Sequence, residues 1–473
     1  MVFSSTVFLF IFLPVTYILY LIVPSIKAKN ILLIITSLLF YAFGEPITVF
    51  LMIFSVLVNY ILGRLIAGAK GKGKPFLVIS IVFNLLILCI FKYTGFFAET
   101  INAVLPVNIP VPNIRLPIGI SFFTFQILSY VIDVYKDKTL VQKNFLNVLL
   151  YISLFPQLIA GPIVKYYDVA HQIENRKITA ESTAYGIRRF ICGLSKKVLI
   201  ANAVGGVADS MFALRGDDLS ILTCWLGGIA YTIQIYFDFS GYSDMAIGLG
   251  KMLGFTFSEN FKYPYTAESM QDFWRKWHIS ISSWFKEYLY IPLGGNRKGK
   301  LRTAVNRIIV FFFTGLWHGA NLTFVVWGLV HGMFLLLESY KIIPLEKIKF
   351  KPIKRIYTML VIIVTFVIFR AENLTQAGTF IAKMFTGFDV SSTSRSIFFE
   401  QFNPYFVFTL ILGVLFSMPI VRTLGKKLNV KAKSEGAKLA VEISGEVVTL
   451  AMLFMCIVSL ASSTFNPFIY LQF

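Results

Sequence analysis

Apolar stretches of bilayer length follow one another almost from the first residue of this chain to the last, and the short runs between them are rich in lysine and arginine. In lipid a chain must satisfy its own backbone N–H and C=O groups. A run of about 20 apolar residues does so as a spanning helix, and roughly 17 suffice in a thin membrane. The sequence predicts such spans at residues 3–23, 31–43 (short), 47–67, 76–91, 118–135, 198–214, 221–247, 356–369, 406–420 and 447–460. Composition agrees, since 56% of residues are hydrophobic and 14% charged, where an ordinary soluble domain carries about 25% charged. The expected fold is an all-α polytopic integral membrane protein. No repeat of fixed period, low-complexity linker or heptad pattern divides it, so one integral domain is expected over residues 1–473. Residues 7–23 have no basic residue before them and no small-residue cleavage site after them, which predicts a retained first helix.

The chain carries 44 basic against 24 acidic residues. Because the cations fall between apolar segments, they read as orientation signals and not as a nucleic-acid surface. If every early span crosses, Lys27/Lys29, Lys70/Lys72/Lys74 and Lys136/Lys138/Lys143 share one side, which the positive-inside bias makes the cytoplasm. The Pro-rich loop 106–112 and the N-terminus then lie outside. Residues 145–165, broken by Pro156, Gly161 and Pro162, are expected to dip into the membrane and return. Arg188/Arg189 and Lys196/Lys197 mark the next inner loop, Asp217 and Asp218 an outer one, and residues 259–307 a basic inner one. Broken backbone at membrane depth is tolerated only where protein or a water-filled cavity covers it, so an internal cavity is expected. Cys89, Cys192, Cys224 and Cys456 lack metal or disulfide spacing and are assigned to packing.

Two of the four histidines lie in residues 271–318, which open on Gln271-Asp272-Phe273-Trp274-Arg275-Lys276-Trp277-His278 and close on Thr314-Gly315-Leu316-Trp317-His318. Ionisable groups inside apolar sequence are costly and usually mark a working site. The apolar stretch from Ile308 to the basic run 341–355 is too short for two full helices, so two shorter embedded segments are expected to meet near Trp317-His318-Gly319. Ten residues from Ile308 rise about 15 Å, which would leave His318 near the middle of a roughly 30 Å core. Gly315 and Gly319 beside it permit close approach of a ligand or a helix. His318 is then either a working base or a structural histidine bonded to a neighbouring carbonyl.

Residues 273–289 have the composition of an interfacial amphipathic helix, in which His278 is either a headgroup-level polar residue or a partner in the same cavity. His331 is assigned to capping or packing, and His171 to a polar loop. Gln126, Gln234, Asp238, Ser240 and Asp244 are embedded polar groups; most of them read as satisfied interhelical hydrogen bonds, and for the buried acids Lys or Arg from the basic loops could supply partners. The chain has no nucleotide loop, serine elbow, metal-ligand spacing or Cys/His nucleophile pair. A histidine base acting on a hydroxyl and a thioester is the simplest chemistry remaining.

The residues 271–278, 280–297 and 314–321 resemble the membrane-bound O-acyltransferase family, in its bacterial branch that O-acetylates alginate, peptidoglycan and cellulose. The resemblance continues in residues 116–126, 155–162 (Phe155-Pro156-Gln157-Leu158-Ile159-Ala160-Gly161-Pro162), 237–244 and 465–470, and so spans nearly the whole chain. It implies a ring of about ten or more tilted and re-entrant helices around a central tunnel or funnel. It makes His318 the catalytic histidine and His278 the second characteristic one. Trp274, Arg275, Trp317, Asn321, Arg297 and Lys298, in or beside these motifs, become candidate substrate contacts. Arg275, Lys276, Arg297, Lys298, Lys300 and Arg302 could hold a donor's phosphates or be positive-inside residues only.

The resemblance further implies a cytosolic acetyl thioester donor, with acetyl-CoA expected. It implies no permanently bound cofactor or metal, a bacterial inner-membrane location, and an extracytoplasmic esterase-like partner that passes acetyl to a polysaccharide. Two other readings stand beside it: a polysaccharide or acyl-lipid transporter, for which no matching half-sequences are present, and a non-catalytic membrane anchor of a polysaccharide-modifying complex.

Overall fold

A computed structural model describes residues 1–105, 107–432, 434–462 and 468, and every regular element among them is helical. The helices that position the site are, in chain order, α1 (Lys74–Val104), α2 (Ile120–Lys136), α3 (Ala180–Ser195), α4 (Asn202–Ala213), α5 (Ile221–Met252), α6 (Met270–Lys276), α7 (Ile279–Phe285), α8 (Gly299–His318), α9 (Leu322–Ser339), α10 (Lys351–Arg370) and α11 (Leu374–Thr386).

Among the described residues, 6 helical runs are long and apolar enough to cross a membrane: Thr48–Gly68, Lys74–Asn102, Ala180–Ala213, Leu322–Ser339, Lys351–Arg370 and Glu435–Ser462. Ser392–Gln401 and Pro404–Phe416, bent by 64°, add one more if counted as a single span. The predicted spans 76–91, 356–369 and 447–460 fall within these, and 47–67 matches Thr48–Gly68 to within one residue at each end. Those at 3–23 and 31–43 are shorter helical runs, Phe8–Ile22 and Ile26–Ala42. The broken segment 145–165 is a helix Phe145–Ser153, one turn Phe155–Leu158 and extended chain, all buried after Leu146 and Asn147. Protein covers this irregular backbone, as its polar groups require.

The structure corrects the sequence reading around residues 180–250. Arg189, Lys196 and Lys197 do not stand in a loop. They lie on α3 and on the π-helical turn Lys196–Ala201 that continues it into α4. The reason is counter-charge from α5. Asp244 takes Arg189 and Lys196, each at 2.6 Å, and Asp238 takes Lys197 at 2.5 Å in a pair that is almost wholly buried. Arg189 also grips Glu259 at 2.6 Å. Paired in this way, the ions tolerate burial that neither sign could bear alone.

Helix α5, with 32 residues, is about 48 Å long at 1.5 Å per residue and is buried along nearly all of its second half. It packs closest on α3. A Cβ built on Gly193 would fall 2.5 Å from the Gly241 carbonyl oxygen, and one on Gly241 would fall 2.7 Å from that of Gly193. Small residues thus let two backbones touch where no hydrophobic difference between lipid and protein would press them together.

Candidate functional site

The site is built on the hairpin of α8 and α9. Helix α8 ends at His318, the chain turns through Gly319 and Ala320, and Asn321 starts α9 by accepting a hydrogen bond from Thr323 N–H at 3.0 Å. The two helices approach to backbone contact. A Cβ on Gly315 would lie 2.3 Å from the Phe324 carbonyl oxygen, and one on Gly328 would lie 2.3 Å from that of Phe311. The 20-residue α8 starts well before Ile308, because Lys300, Arg302 and Arg307 continue the helix. His318 therefore closes a helix about 30 Å long, not a half-length one.

His318 is 4% exposed and is enclosed by aromatic rings. Its ring centroid is 4.9 Å from Trp317, 5.1 Å from Trp327 and 5.2 Å from Phe369, each nearly perpendicular to it, and 6.5 Å from His278. Edge-to-face rings of this kind fix an imidazole's plane. The buried indole N–H groups of Trp317 and Trp327 meet no acceptor among the described residues.

His278 sits at the bend between α6 and α7 with φ +43°, a left-handed conformation rare outside glycine. That bend corrects the expected amphipathic helix at 273–289. The segment is two short helices and a π-helical turn, and Trp274, Trp277, Trp284 and Tyr288 are buried. Asn260 holds the bend. Its Oδ1 lies 3.1 Å from His278 Nδ1 and accepts from Ser280 N–H at 3.2 Å and Oγ–H at 2.9 Å. Its backbone carbonyl accepts from Ile279 N–H at 2.9 Å, and its Nδ2 donates to Ser243 Oγ at 3.0 Å. An amide oxygen can only accept, so His278 Nδ1 carries the proton of that bond.

Lys92, on α1, is 9% exposed; its Nζ donates to the Trp317 carbonyl at 2.5 Å and lies 3.4 Å from Ser121 Oγ. The neighbouring Tyr93 hydroxyl donates to the Leu316 carbonyl at 2.6 Å. Together they bind orphan carbonyls of the last turn of α8.

Two cavities lie at opposite ends of the hairpin. One, of ≈ 230 Å³, has Arg275, Lys286 and Arg307 on its wall with Trp274, Phe311 and Thr314. The other, of ≈ 280 Å³, is lined by Lys92, Pro112, Leu116, Gly319, Asn321 and Phe324 among others. Along the chain from Thr314 in the first to Gly319 in the second is about 7.5 Å of helix rise, and Trp317 and His318 lie between them.

The structure brings His318, His278 and Trp317 together and sets Trp274 and Arg275 on the first cavity. Trp274 Nε1 donates to His331 Nδ1 at 3.2 Å, so His331 packs as expected. Asn321 is a helix cap whose Nδ2 also donates to the Glu372 carbonyl at 2.8 Å. Arg297 and Lys298 are exposed in the turn before α8 and lie on neither cavity. His171 is exposed at the end of a short helix, and Gln126 is buried with no amide partner among the described residues. Of residues 465–470 only Phe468 is described, and its ring lies 4.9 Å from that of Tyr242. Lys92, Asn260, Lys286 and Arg307 were not singled out from sequence.

A family model described as MBOAT, the membrane-bound O-acyltransferase family, matches residues 120–377. The probable alginate O-acetylase AlgI of Pseudomonas putida is 39% identical over 100% of both chains. The peptidoglycan O-acetyltransferase of Helicobacter pylori is 36% identical over 80% of this chain and 78% of its own. The teichoic acid D-alanyltransferase of Bacillus subtilis is 29% identical over 54% of this chain and 67% of its own.

Proposed function

The chain belongs to the membrane-bound O-acyltransferase family and is an O-acyltransferase, and on that premise we propose that it moves an acetyl group from a cytosolic thioester, acetyl-CoA, toward an extracytoplasmic polysaccharide. The whole of residues 1–473 acts as one transmembrane unit of the bacterial inner membrane, its N-terminus outside and its helices arranged around a tunnel. The reading rests on one observation above the rest: His318 lies in the short stretch between two cavities at opposite ends of the α8–α9 hairpin.

In this scheme the donor enters by the cavity that Arg275, Lys286 and Arg307 line, where guanidinium and ammonium groups suit a phosphorylated thioester. The acceptor hydroxyl arrives by the other. His318 removes the hydroxyl proton as the oxygen attacks the thioester carbonyl, and returns a proton to the departing thiolate as the C–S bond breaks. The Trp317 indole N–H, without an acceptor among the described residues, is a donor for the acyl oxygen. His278, oriented by Asn260, shapes the donor side of the same space. The proximity of two substrates delivered from opposite faces supplies much of the rate.

The acceptor class is supported by the relatives' names, which speak of alginate and peptidoglycan; an esterase-like partner completes the transfer outside. The test is His318→Ala expressed at the normal level in the membrane. Loss of O-acetyl from the envelope polymer supports the enzyme; full acetylation would favour a transporter or an anchor.

A further inference from the structure

Helix α9 carries two buried N–H donors that the reaction scheme leaves idle. Trp327 is 1% exposed and His331 0%, and neither Trp327 Nε1 nor His331 Nε2 meets a hydrogen-bond partner among the described residues. The tautomer of His331 follows from its neighbour. An indole N–H can only donate, so His331 Nδ1, 3.2 Å from Trp274 Nε1, accepts, and the ring's one proton sits on Nε2. A buried donor without an acceptor has lost its water and gained nothing in return, which is why such groups are few in folded proteins.

Both donors stand between the two cavities. Residues 324, 327, 331 and 335 follow one another at helical spacing along one face of α9. At one end of this row Leu335 lines the cavity that holds Arg275 and Arg307; at the other, Phe324 lines the second cavity. Trp327 and His331 are the two positions between. The Trp327 ring is 5.1 Å from that of His318 and 4.8 Å from that of His331. Trp274, which donates to His331, is itself on the wall of the first cavity. A ligand moving from that cavity toward His318 therefore passes first His331 and then Trp327, about 6 Å or one helical turn further along.

We propose that His331 Nε2–H and Trp327 Nε1–H hold the amide carbonyls of the donor's thiol arm, so that the protein selects thioesters of an amide-bearing, pantetheine-like thiol over those of a plain alkyl thiol. This rests on the reading above that a thioester enters by the cavity beside Arg275. An arm of that class carries two amides in series, separated by two methylenes, which places their carbonyls about one helical turn apart when the arm is extended. Drawn between buried aromatic rings, each carbonyl gives up its water and needs a donor. The two orphan N–H groups supply one each, and the arm they hold ends with its thioester at His318.

The test measures equilibrium binding of S-acetylpantetheine to the purified full-length chain in phosphatidylcholine nanodiscs, beside an analogue whose two amides are replaced by ethylene units, with binding to empty nanodiscs subtracted. Trp327→Phe removes the N–H and keeps an aromatic ring; it should weaken S-acetylpantetheine binding about fivefold, the worth of one neutral hydrogen bond, and leave the analogue within about twofold. At His331 two variants separate ligand binding from packing. Asparagine keeps an acceptor for Trp274 and withdraws the Nε2 donor, so His331→Asn should repeat the loss. Glutamine sets an amide N–H near the Nε2 position, so His331→Gln should bind S-acetylpantetheine within about twofold of wild type. The reverse order at His331 would make it a brace for Trp274 only and overturn its place in the site. Equal losses for both thioesters, or a Trp327→Phe protein that binds like the wild type, would overturn the proposal as a whole. Acetyl transfer from acetyl-CoA to the purified extracytoplasmic partner, measured with the wild-type chain, reports on the acyl-transfer reading separately. Transfer with no effect at either position sinks this inference alone; amide-dependent binding without transfer sinks that reading alone.

Discussion

Gly328→Ala perturbs the site without touching it. The new Cβ would fall 2.3 Å from the Phe311 carbonyl oxygen and 3.0 Å from Gly315 N, both backbone atoms that cannot swing aside. Ordinary contact begins near 3.4 Å, so α8 and α9 must part by about 1 Å at this point. Overpacking of this kind costs about 1–3 kcal/mol, and alanine's better helix propensity returns at most about 1. The larger effect is on rate. His318 ends the displaced helix, and a misplacement of about 1 Å costs about a hundredfold. Acetyl transfer and thermal unfolding would be measured together in nanodiscs, with Gly378→Ala on α11, where a Cβ meets nothing within 4 Å, as the control. The control should turn over normally and melt no lower. A Gly328→Ala protein indistinguishable from that control would refute the claim that hairpin closeness sets the histidine's position.

Other changes probe other parts. Asp238→Asn breaks the buried pair with Lys197 and should destabilise by about 3–5 kcal/mol, whereas Lys197→Met with Asp238→Leu should recover most of it; thermal unfolding in detergent decides. Asn260→Ala removes the acceptor at His278 Nδ1, and kcat should fall about tenfold with donor KM little moved; an unchanged kcat would make Asn260 a loop staple only. Arg307→Glu should raise the donor KM about tenfold, while Arg297→Glu and Lys298→Glu, exposed and away from the cavity, should leave it within about twofold; the reverse order would relocate the donor.

His318 and His278 were legible because their evidence is local. A histidine beside tryptophan and glycine in an apolar run is conspicuous wherever the chain goes. Lys92 was not, since it ends the run 76–91 and reads like any flanking lysine until α1 meets α8, 225 residues away in sequence. Asn260 stands 18 residues before the histidine it orients, in a loop with no periodic pattern. The length of α8 was misjudged for a related reason. In sequence Lys300, Arg302 and Arg307 read as loop charge, although long basic side chains continue a helix readily when their heads reach water. Asp238 and Asp244 left open in sequence whether a cation or an interhelical hydrogen bond answers them; the register of α3 against α5, set by glycine contacts, brings Lys197 and Lys196 to them. Composition located the membrane segments; tertiary packing decided which of them break, bend or bury charge.

The central claim is that His318 acts as the base in direct transfer between two substrates. A single-turnover experiment tests it most directly, with the purified chain in nanodiscs, radiolabelled acetyl-CoA, and the hydroxyl acceptor supplied as the purified extracytoplasmic partner. Wild type should pass label to the acceptor and leave none covalently bound to protein. His318→Ala should bind the donor with affinity within about threefold of wild type yet lose about a hundredfold or more in transfer, the usual worth of a positioned general base. His278→Ala should lose less. Label trapped on the protein with donor alone, or transfer by His318→Ala at the wild-type rate, would contradict the account.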